Sequence, residues 1–258
     1  MRSRNPQNIS GVGVSYFRLG SYMRLLLLKK TFTNTKSKKI LDIGCNYGEI
    51  TRILTENNQV IGIDTDQKAL KLAKKQNKQA KFIEANATRL PFKNKSFDIV
   101  NCLSVLEHIK KDQKVLLEIS RVLKNKGKLF LTIPNQQARL VPPWLEPVIK
   151  QTNKLLKTDF PINDQEFLHY GEEGIGHVHI GYSRKKITRM LKKSKLKVTL
   201  FKTYWHRPTR LAYLLLMPLL RKKIIKPGLA KLIFLPFFYL DKIFKDNRGD
   251  ILIIARKL

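Results

Sequence analysis

The chain has 258 residues, 43% of them apolar, which suffices for one large or two small packed domains and excludes a disordered chain. Its 51 Lys and Arg against 19 Asp and Glu leave a formal charge of +32, so nucleic acid, anionic lipid and acidic substrates are the partners to weigh, beside a plain Lys-favouring genome. Two cysteines, Cys45 and Cys102, match neither a zinc cluster nor a disulfide framework, and a reducing compartment is expected.

The opening thirty residues are basic, but the apolar run Leu25 to Leu28 is too short for a signal-peptide core and no small-residue cleavage site follows. Apolar residues at helical intervals over 16–30, then the polar "TNTKSKK", predict a helical cap over 1–36. A core over 37–135 follows: strand "KILDI", a helix from Glu49 to Asn57, strand "QVIGI", helix "DQKALKLAKKQ", strands "AKFIEA" and "FDIVNC", a helix from Asp112 to Leu123, and strand "GKLFLTI". Residues 136–183 break the alternation with "VPPW" and "PINDQEF" and are expected to be an insertion over the active site. Residues 184–204 return to the core with helix "SRKKITRMLKKSKL" and strand "KVTLFKTYW". Residues 205–248 are an apolar, cationic helical excursion, and 249–258 a final core strand. Strands alternating with helices predict a parallel α/β sheet, doubly wound, whose ligand crevice lies beyond the carboxyl ends of the strands, after Ile43, Ile63, Ala85 and Cys102.

In "LDIGCNYGEI" Gly44 and Gly48 flank Asn46, so the backbone can turn sharply and approach a ligand closely; Asn46 itself tolerates positive φ. A dinucleotide loop would need a small residue at Glu49, and a carboxylate there has the wrong sign for a pyrophosphate. The loop suits a nucleoside without phosphates.

From Lys39 to Asn135, and more loosely to Leu258, the chain resembles the class I S-adenosylmethionine-dependent methyltransferases, ubiquinone-pathway O-methyltransferases among them. "ILDIGCNYG" is similar to their first motif, "VIGIDTDQKAL" to the second, "FIEANATRLPFKNKSFDIVNCLSVLEHI" to the third and fourth, and "LLEISRVLKNKGKLFLTIPN" to the fifth. The resemblance implies a Rossmann-like seven-stranded sheet with the last strand antiparallel, and S-adenosyl-L-methionine as the methyl donor. It implies that Asp42 and the loop Gly44, Cys45, Asn46 and Gly48 hold the methionine portion. Asp64, with Thr65, would accept the ribose hydroxyls, and Asn86 and Ala87 would lie at the adenine, where the family usually has Asp and Ala; Ser104 completes the cofactor-binding set. The plainer readings are a helix cap for Asp64 and a turn residue for Asn86.

Methyl transfer from a sulfonium rests largely on alignment and exclusion of water, and a base is needed only for an acceptor that must lose a proton. His108 in "LEHI" and His177 in "GHVHIGYS" are the candidate catalytic histidines, against backbone packing for the first and loop ordering for the second. The resemblance allows a metal where a further acid precedes the histidine by four, but that position is Ser104, so none is expected. Cys45 and Cys102 are expected to pack beside the cofactor.

From Gly174 to Leu240 there is no Asp or Glu, and Arg184 to Lys231 supplies sixteen Lys and Arg. Within it Leu211 to Leu220 and Leu229 to Leu240 are apolar, interrupted by Pro218 and Pro236, and shorter than the roughly 20 residues of a spanning helix. Short apolar helices beside clustered cations and aromatic residues fit a segment lying in a membrane interface. The expected protein is a methyltransferase peripheral to the inner face of the cell membrane, with a lipid, quinone or lipid-linked acceptor and an anionic membrane surface as partners. Alternatives are an RNA methyltransferase, a non-catalytic regulatory subunit, or apolar runs that pack on the sheet or form a dimer contact.

Overall fold

The computed structural model describes residues 35–136, 145–157, 178–179, 181–204, 212, 216, 219, 224–225, 227–240 and 250–258. The expected cap over 16–30, most of the insertion and much of the excursion lie outside them. The chain divides into two compact units, one of Leu27–Gln137, Val178–Thr203 and Asp250–Leu258, the other of Met1–Leu26, Ala138–His177 and Tyr204–Gly249.

The first unit holds one seven-stranded sheet. Its strands are β1 Lys39–Ile43, β2 Gln59–Asp64, β3 Lys81–Glu84, β4 Phe97–Leu103, β5 Leu123–Ile133, β6 Leu196–Tyr204 and β7 Asp250–Lys257, in the spatial order β3-β2-β1-β4-β5-β7-β6. β1 pairs in parallel with β2 and β4, β2 with β3, and β4 with β5, while β7 runs antiparallel to β5 from Lys128↔Arg256 to Ile133↔Ile251. At the other edge of β7, Leu258 N–H donates to the Lys195 carbonyl and the Thr199 hydroxyl to that of Ile254. Positions climb on β6 as they fall on β7, so β7 alone opposes the rest. Strand order reverses between β1 and β4, where a ligand crevice belongs.

Alternation along each strand divides the core. Leu41, Ile43, Ile63, Val100, Cys102, Leu129, Leu131 and Ile253 share a buried cluster with Val115, Leu116, Ile119 and Val122 of helix α3 (Asp112–Val122) and with Ile187 and Leu191 of helix α5 (Arg184–Lys193). On the other face Cys45 and Phe82 pack with Leu70 and Ala73 of helix α2 (Gln67–Gln76). Helix α1 covers only Glu49–Leu54, short of the expected Asn57, because the Asn58 amide takes the Leu54 carbonyl and ends the ladder. β5 starts earlier than expected: Leu123 already pairs with Phe97, and the strand passes a register shift with Lys126 at φ 62°. The segment between β3 and β4 is clamped by Arg121, which donates to the Leu90 and Phe92 carbonyls and forks onto Glu118.

The second unit shows helix α4 (Glu146–Leu156) and helix α6 (Pro227–Leu240), the latter with Pro236 inside it. No described helix is long and apolar enough to cross a membrane.

Candidate active site

The crevice is built where β1 ends. Gly44 and Cys45 N–H both donate to the Ile63 carbonyl, at 2.8 and 3.0 Å, and Gly48 N–H closes the loop on Cys45 O at 2.8 Å. Three residues take left-handed φ: Gly44 (68°), Asn46 (45°) and Gly48 (77°). Glycine is required at the first, since a Cβ on Gly44 would fall 2.3 Å from Cγ2 of Val105, on the segment after β4. Two loops from opposite sides of the strand-order reversal therefore touch at that point.

Asp64 stands at the end of β2. One carboxylate oxygen accepts Asn46 N–H at 2.9 Å, and the other accepts Thr65 and Asp66 N–H at 2.7 and 3.1 Å. The cap of α2 is Asp66, whose Oδ1 receives Lys68 and Ala69 N–H, so Asp64 is not engaged in capping. It remains half-buried, able to receive hydroxyl donors. Beside it the amide oxygen of Asn46 is buried with no hydrogen-bond partner.

Several expected cofactor contacts are restricted by geometry. Asp42 is 3% exposed, with Thr51 Oγ1 at 2.6 Å and Asn101 Nδ2 at 2.7 Å on its two oxygens. Its carboxylate braces β1 against α1 and β4. Burial pushes its pKa up to about 6, partly offset by those two hydrogen bonds. The Cys45 side chain turns away into the α2 cluster, which leaves only its backbone at the loop, and Ala87 is buried in the other core cluster. Asn86 accepts both Thr88 N–H and Thr88 Oγ1–H at 2.8 Å. That is the turn arrangement, and it fills the oxygen expected to receive an adenine amine. Burial raises the thiol pKa of both Cys45 and Cys102, which suits packing rather than nucleophilic chemistry.

Ser104 has φ 52°; its N–H donates to the Thr132 carbonyl and its hydroxyl lies 3.4 Å from Thr132 Oγ1. His108 closes the single 3₁₀ turn Leu106–His108 and is half-buried. The carbonyl of Glu107 receives Val178 and His179 N–H, at 2.9 and 3.0 Å. His177 lies outside the described residues. His179, missed from sequence, is tied to the segment after β4: its Nε2 is 3.2 Å from Ile109 O and 3.4 Å from Asp112. Tyr182, also missed, is wholly buried, with its hydroxyl on Leu106 O and Asp112; the only signal was its place ahead of the Ser183 cap.

Among 42–48, 64–66, 85–88 and 104–108, which form these strand ends, there is no Lys or Arg, while Asp42, Asp64, Asp66 and Glu107 are acidic. In a chain of +32 this crevice is an acidic exception. It fits a cationic nucleoside carrying no phosphate: close glycine backbone, a half-buried carboxylate for a diol, and an unsatisfied buried oxygen.

The comparisons agree with the geometry. Residues 41–131 match the family described as a methyltransferase domain, and the fold is that of solved S-adenosylmethionine-dependent methyltransferases. An uncharacterized protein of Methanocaldococcus jannaschii is 39% identical over 117 residues, 45% of this chain and 50% of that one. A ubiquinone biosynthesis O-methyltransferase of Idiomarina loihiensis is 32% identical over 121 residues, 43% of this chain and 47% of that one. The chain thus spans about half the length of the curated relatives it matches. A solved S-adenosylmethionine-dependent methyltransferase of Mesorhizobium loti shares the fold, with TM-score 0.62 and 16% identity over 91% of this chain and 98% of that one.

Proposed function

We propose that the protein transfers a methyl group from S-adenosyl-L-methionine to a lipid, quinone or lipid-linked acceptor at a membrane surface. The observation that carries the first half is the half-buried Asp64 beside a close glycine loop, in strand-end segments without Lys or Arg in an otherwise cationic chain. When bound there, the cofactor supplies a methyl group on a sulfonium. Asp64 would receive the ribose hydroxyls, the Gly44 to Gly48 backbone, the Asn46 amide oxygen and the segment at Ser104 would line the methionine end, and the segment at Asn86 would flank the base. The chain's part in the transfer is orientation and exclusion of water. His108 is the group proposed to take a proton from an acceptor hydroxyl, a part the sequence also offers to His177.

The lipid half is supported by α6. Its described exposed side chains include Leu229, Leu232, Ile233, Pro236, Tyr239 and Leu240, all apolar or aromatic. Apolar side chains facing water, next to a stretch with sixteen Lys and Arg and no acid, suit the boundary of an anionic bilayer. The relative from I. loihiensis is named for ubiquinone biosynthesis, which makes a quinone one candidate acceptor.

The test has two arms. Asp64→Ala should lower cofactor affinity at least about a hundredfold by calorimetry, since two hydrogen bonds to a charged group are lost; unchanged affinity refutes the cofactor assignment. Incubation with methyl-labelled cofactor and the separated lipid, RNA and soluble fractions of the host should place label in lipid, and label in RNA alone refutes the acceptor class.

A further inference from the structure

We infer a second binding site, for a phosphoryl group, in the hollow between α3 and α5. It measures about 360 Å³ and is lined by Gln113, Ser183, Lys185, Lys186, Arg189 and Lys193 around the thioether of Met190. The sequence predicts a helix here and assigns it no ligand.

The cations come from the helix repeat. Lys185, Arg189 and Lys193 stand at i, i+4 and i+8, so one flank of α5 carries three positive charges in register, and Lys186 joins them one turn before Met190. Like charges so spaced repel, and among the described residues none of the four forms an ion pair. The acid nearest in sequence to Gln113, Asp112, is already engaged by the Tyr182 hydroxyl, the His179 imidazole and Gln113 N–H. Two neutral groups complete the rim. The Ser183 hydroxyl accepts Lys186 N–H and keeps its own proton to donate. The Gln113 amide is held in place by bonds to Met190 O and Ser194 Oγ. Four cations without an ion pair among the described residues, one of them over the Tyr182 ring, and a hydroxyl around a concavity are the complement of a phosphate or diphosphate.

A nucleic-acid strand fits less well. Sequence-tolerant strand binding needs exposed rings on which bases stack, and the ring nearest this hollow, Tyr182, has no exposed surface and lies under the Lys186 ammonium at 4.9 Å. α2 likewise exposes Lys71, Lys74 and Lys75, which serve as a charge-matched comparison.

Both the hollow and the crevice belong to the first unit. Tyr182, one residue before Ser183, donates its N–H to Pro134 just after β5, and its hydroxyl reaches Leu106 just after β4. The Ser183 end of the hollow is thereby anchored to the carboxyl ends of β4 and β5. A lipid-linked acceptor whose headgroup bears phosphate would be gripped in the hollow while its methyl-accepting atom faces the crevice; that link rests on the function proposed above, whereas phosphate binding itself does not.

The experiment titrates the full chain with inorganic pyrophosphate by calorimetry, then with farnesyl diphosphate and with phosphatidylcholine vesicles containing phosphatidylglycerol. Saturable 1:1 binding of pyrophosphate is expected, weakened at least about thirtyfold by Lys185→Gln/Arg189→Gln. The charge-matched Lys71→Gln/Lys74→Gln should weaken it less than about threefold. If the α5 variant then loses farnesyl diphosphate, the phosphate source is a soluble or carrier diphosphate; if it loses only vesicles, the source is a headgroup. Both α5 substitutions are on exposed side chains, and an unchanged melting temperature and cofactor affinity show the variant intact. Equal losses in the two variants, no pyrophosphate binding, or a single-stranded RNA that binds more tightly and is weakened equally by both variants would each overturn the site. Pyrophosphate binding in a chain that fails to bind S-adenosyl-L-methionine leaves the hollow standing and removes the methyl-transfer reading.

Discussion

Gly44→Ala probes the joint on which the crevice depends. The substitution places a Cβ on a residue at φ 68°, which costs an L-residue about 1–2 kcal/mol. It also drives that carbon to 2.3 Å from Val105 Cγ2, well inside contact distance, an overpacking worth about 1–3 kcal/mol. Destabilisation of about 2–5 kcal/mol is expected in urea unfolding of the single variant. The two contributions separate in a double-mutant cycle with Val105→Ala, which removes the clashing methyl and leaves the φ penalty. The double variant should recover about 1–3 kcal/mol relative to the sum of the singles. Cofactor affinity should follow only in part, because relieving the clash does not restore the backbone turn. A cycle that closes to within about 0.5 kcal/mol would show that Gly44 and Val105 do not meet, and with them the convergence of the loops after β1 and β4 would fail.

Asp42 predicts an unusual pH response. Its folded pKa, about 6, lies above the ordinary 3.8. Between those values the native state holds the proton more tightly than the unfolded chain, so stability falls as pH rises through this window, by about 3 kcal/mol on this group's account. Asp42→Asn should flatten that slope in denaturation curves taken from pH 3.5 to 7. Glu118 acts with the opposite sign: the Arg121 hydrogen bond holds its carboxyl below the usual range, so its contribution is present at neutral pH and is lost on acidification. Arg121→Ala should cost about 2 kcal/mol at pH 7 and remove that acid-side loss. On α6, Leu232→Ser/Ile233→Ser should weaken co-sedimentation with anionic vesicles by about thirtyfold, taking about 1 kcal/mol for each partly exposed side chain. Unchanged sedimentation would dismiss these side chains as the lipid contact.

The order of strands and helices was legible because each strand from β1 to β5 is a short β-branched or aromatic run closed by a polar break, and α2, α3 and α5 carry clear apolar faces. Element ends were less so. α1 stops at Leu54 because of Asn58, four positions on, and β5 begins at Leu123 because Phe97 pairs with it across the sheet; neither partner is marked in the local pattern. In the crevice, the positive φ of Gly44, Asn46 and Gly48 followed from residue type. The carboxylates did not sort themselves: Asp42, Asp64 and Asp66 are close in sequence and chemically alike, yet one is a buried brace, one faces the crevice and one caps a helix. That division depends on Thr51 and Asn101, which only the fold brings to Asp42. His179 is a similar case, since its partners Asp112 and Ile109 are brought to it only by the fold.

The position of β7 has a bearing on synthesis. This strand follows the six other described strands of the sheet in sequence, yet it lies between β5 and β6, so until it emerges the hydrogen-bonding groups of Leu129 to Ile133 lack the neighbour they have in the folded sheet. The apolar and cationic stretch ahead of it leaves the ribosome during that interval. A nascent chain of this kind is open to chaperones, proteases or a lipid surface before its sheet is sealed, and loss of its last eight strand residues would leave a vulnerable intermediate rather than a slightly shortened enzyme.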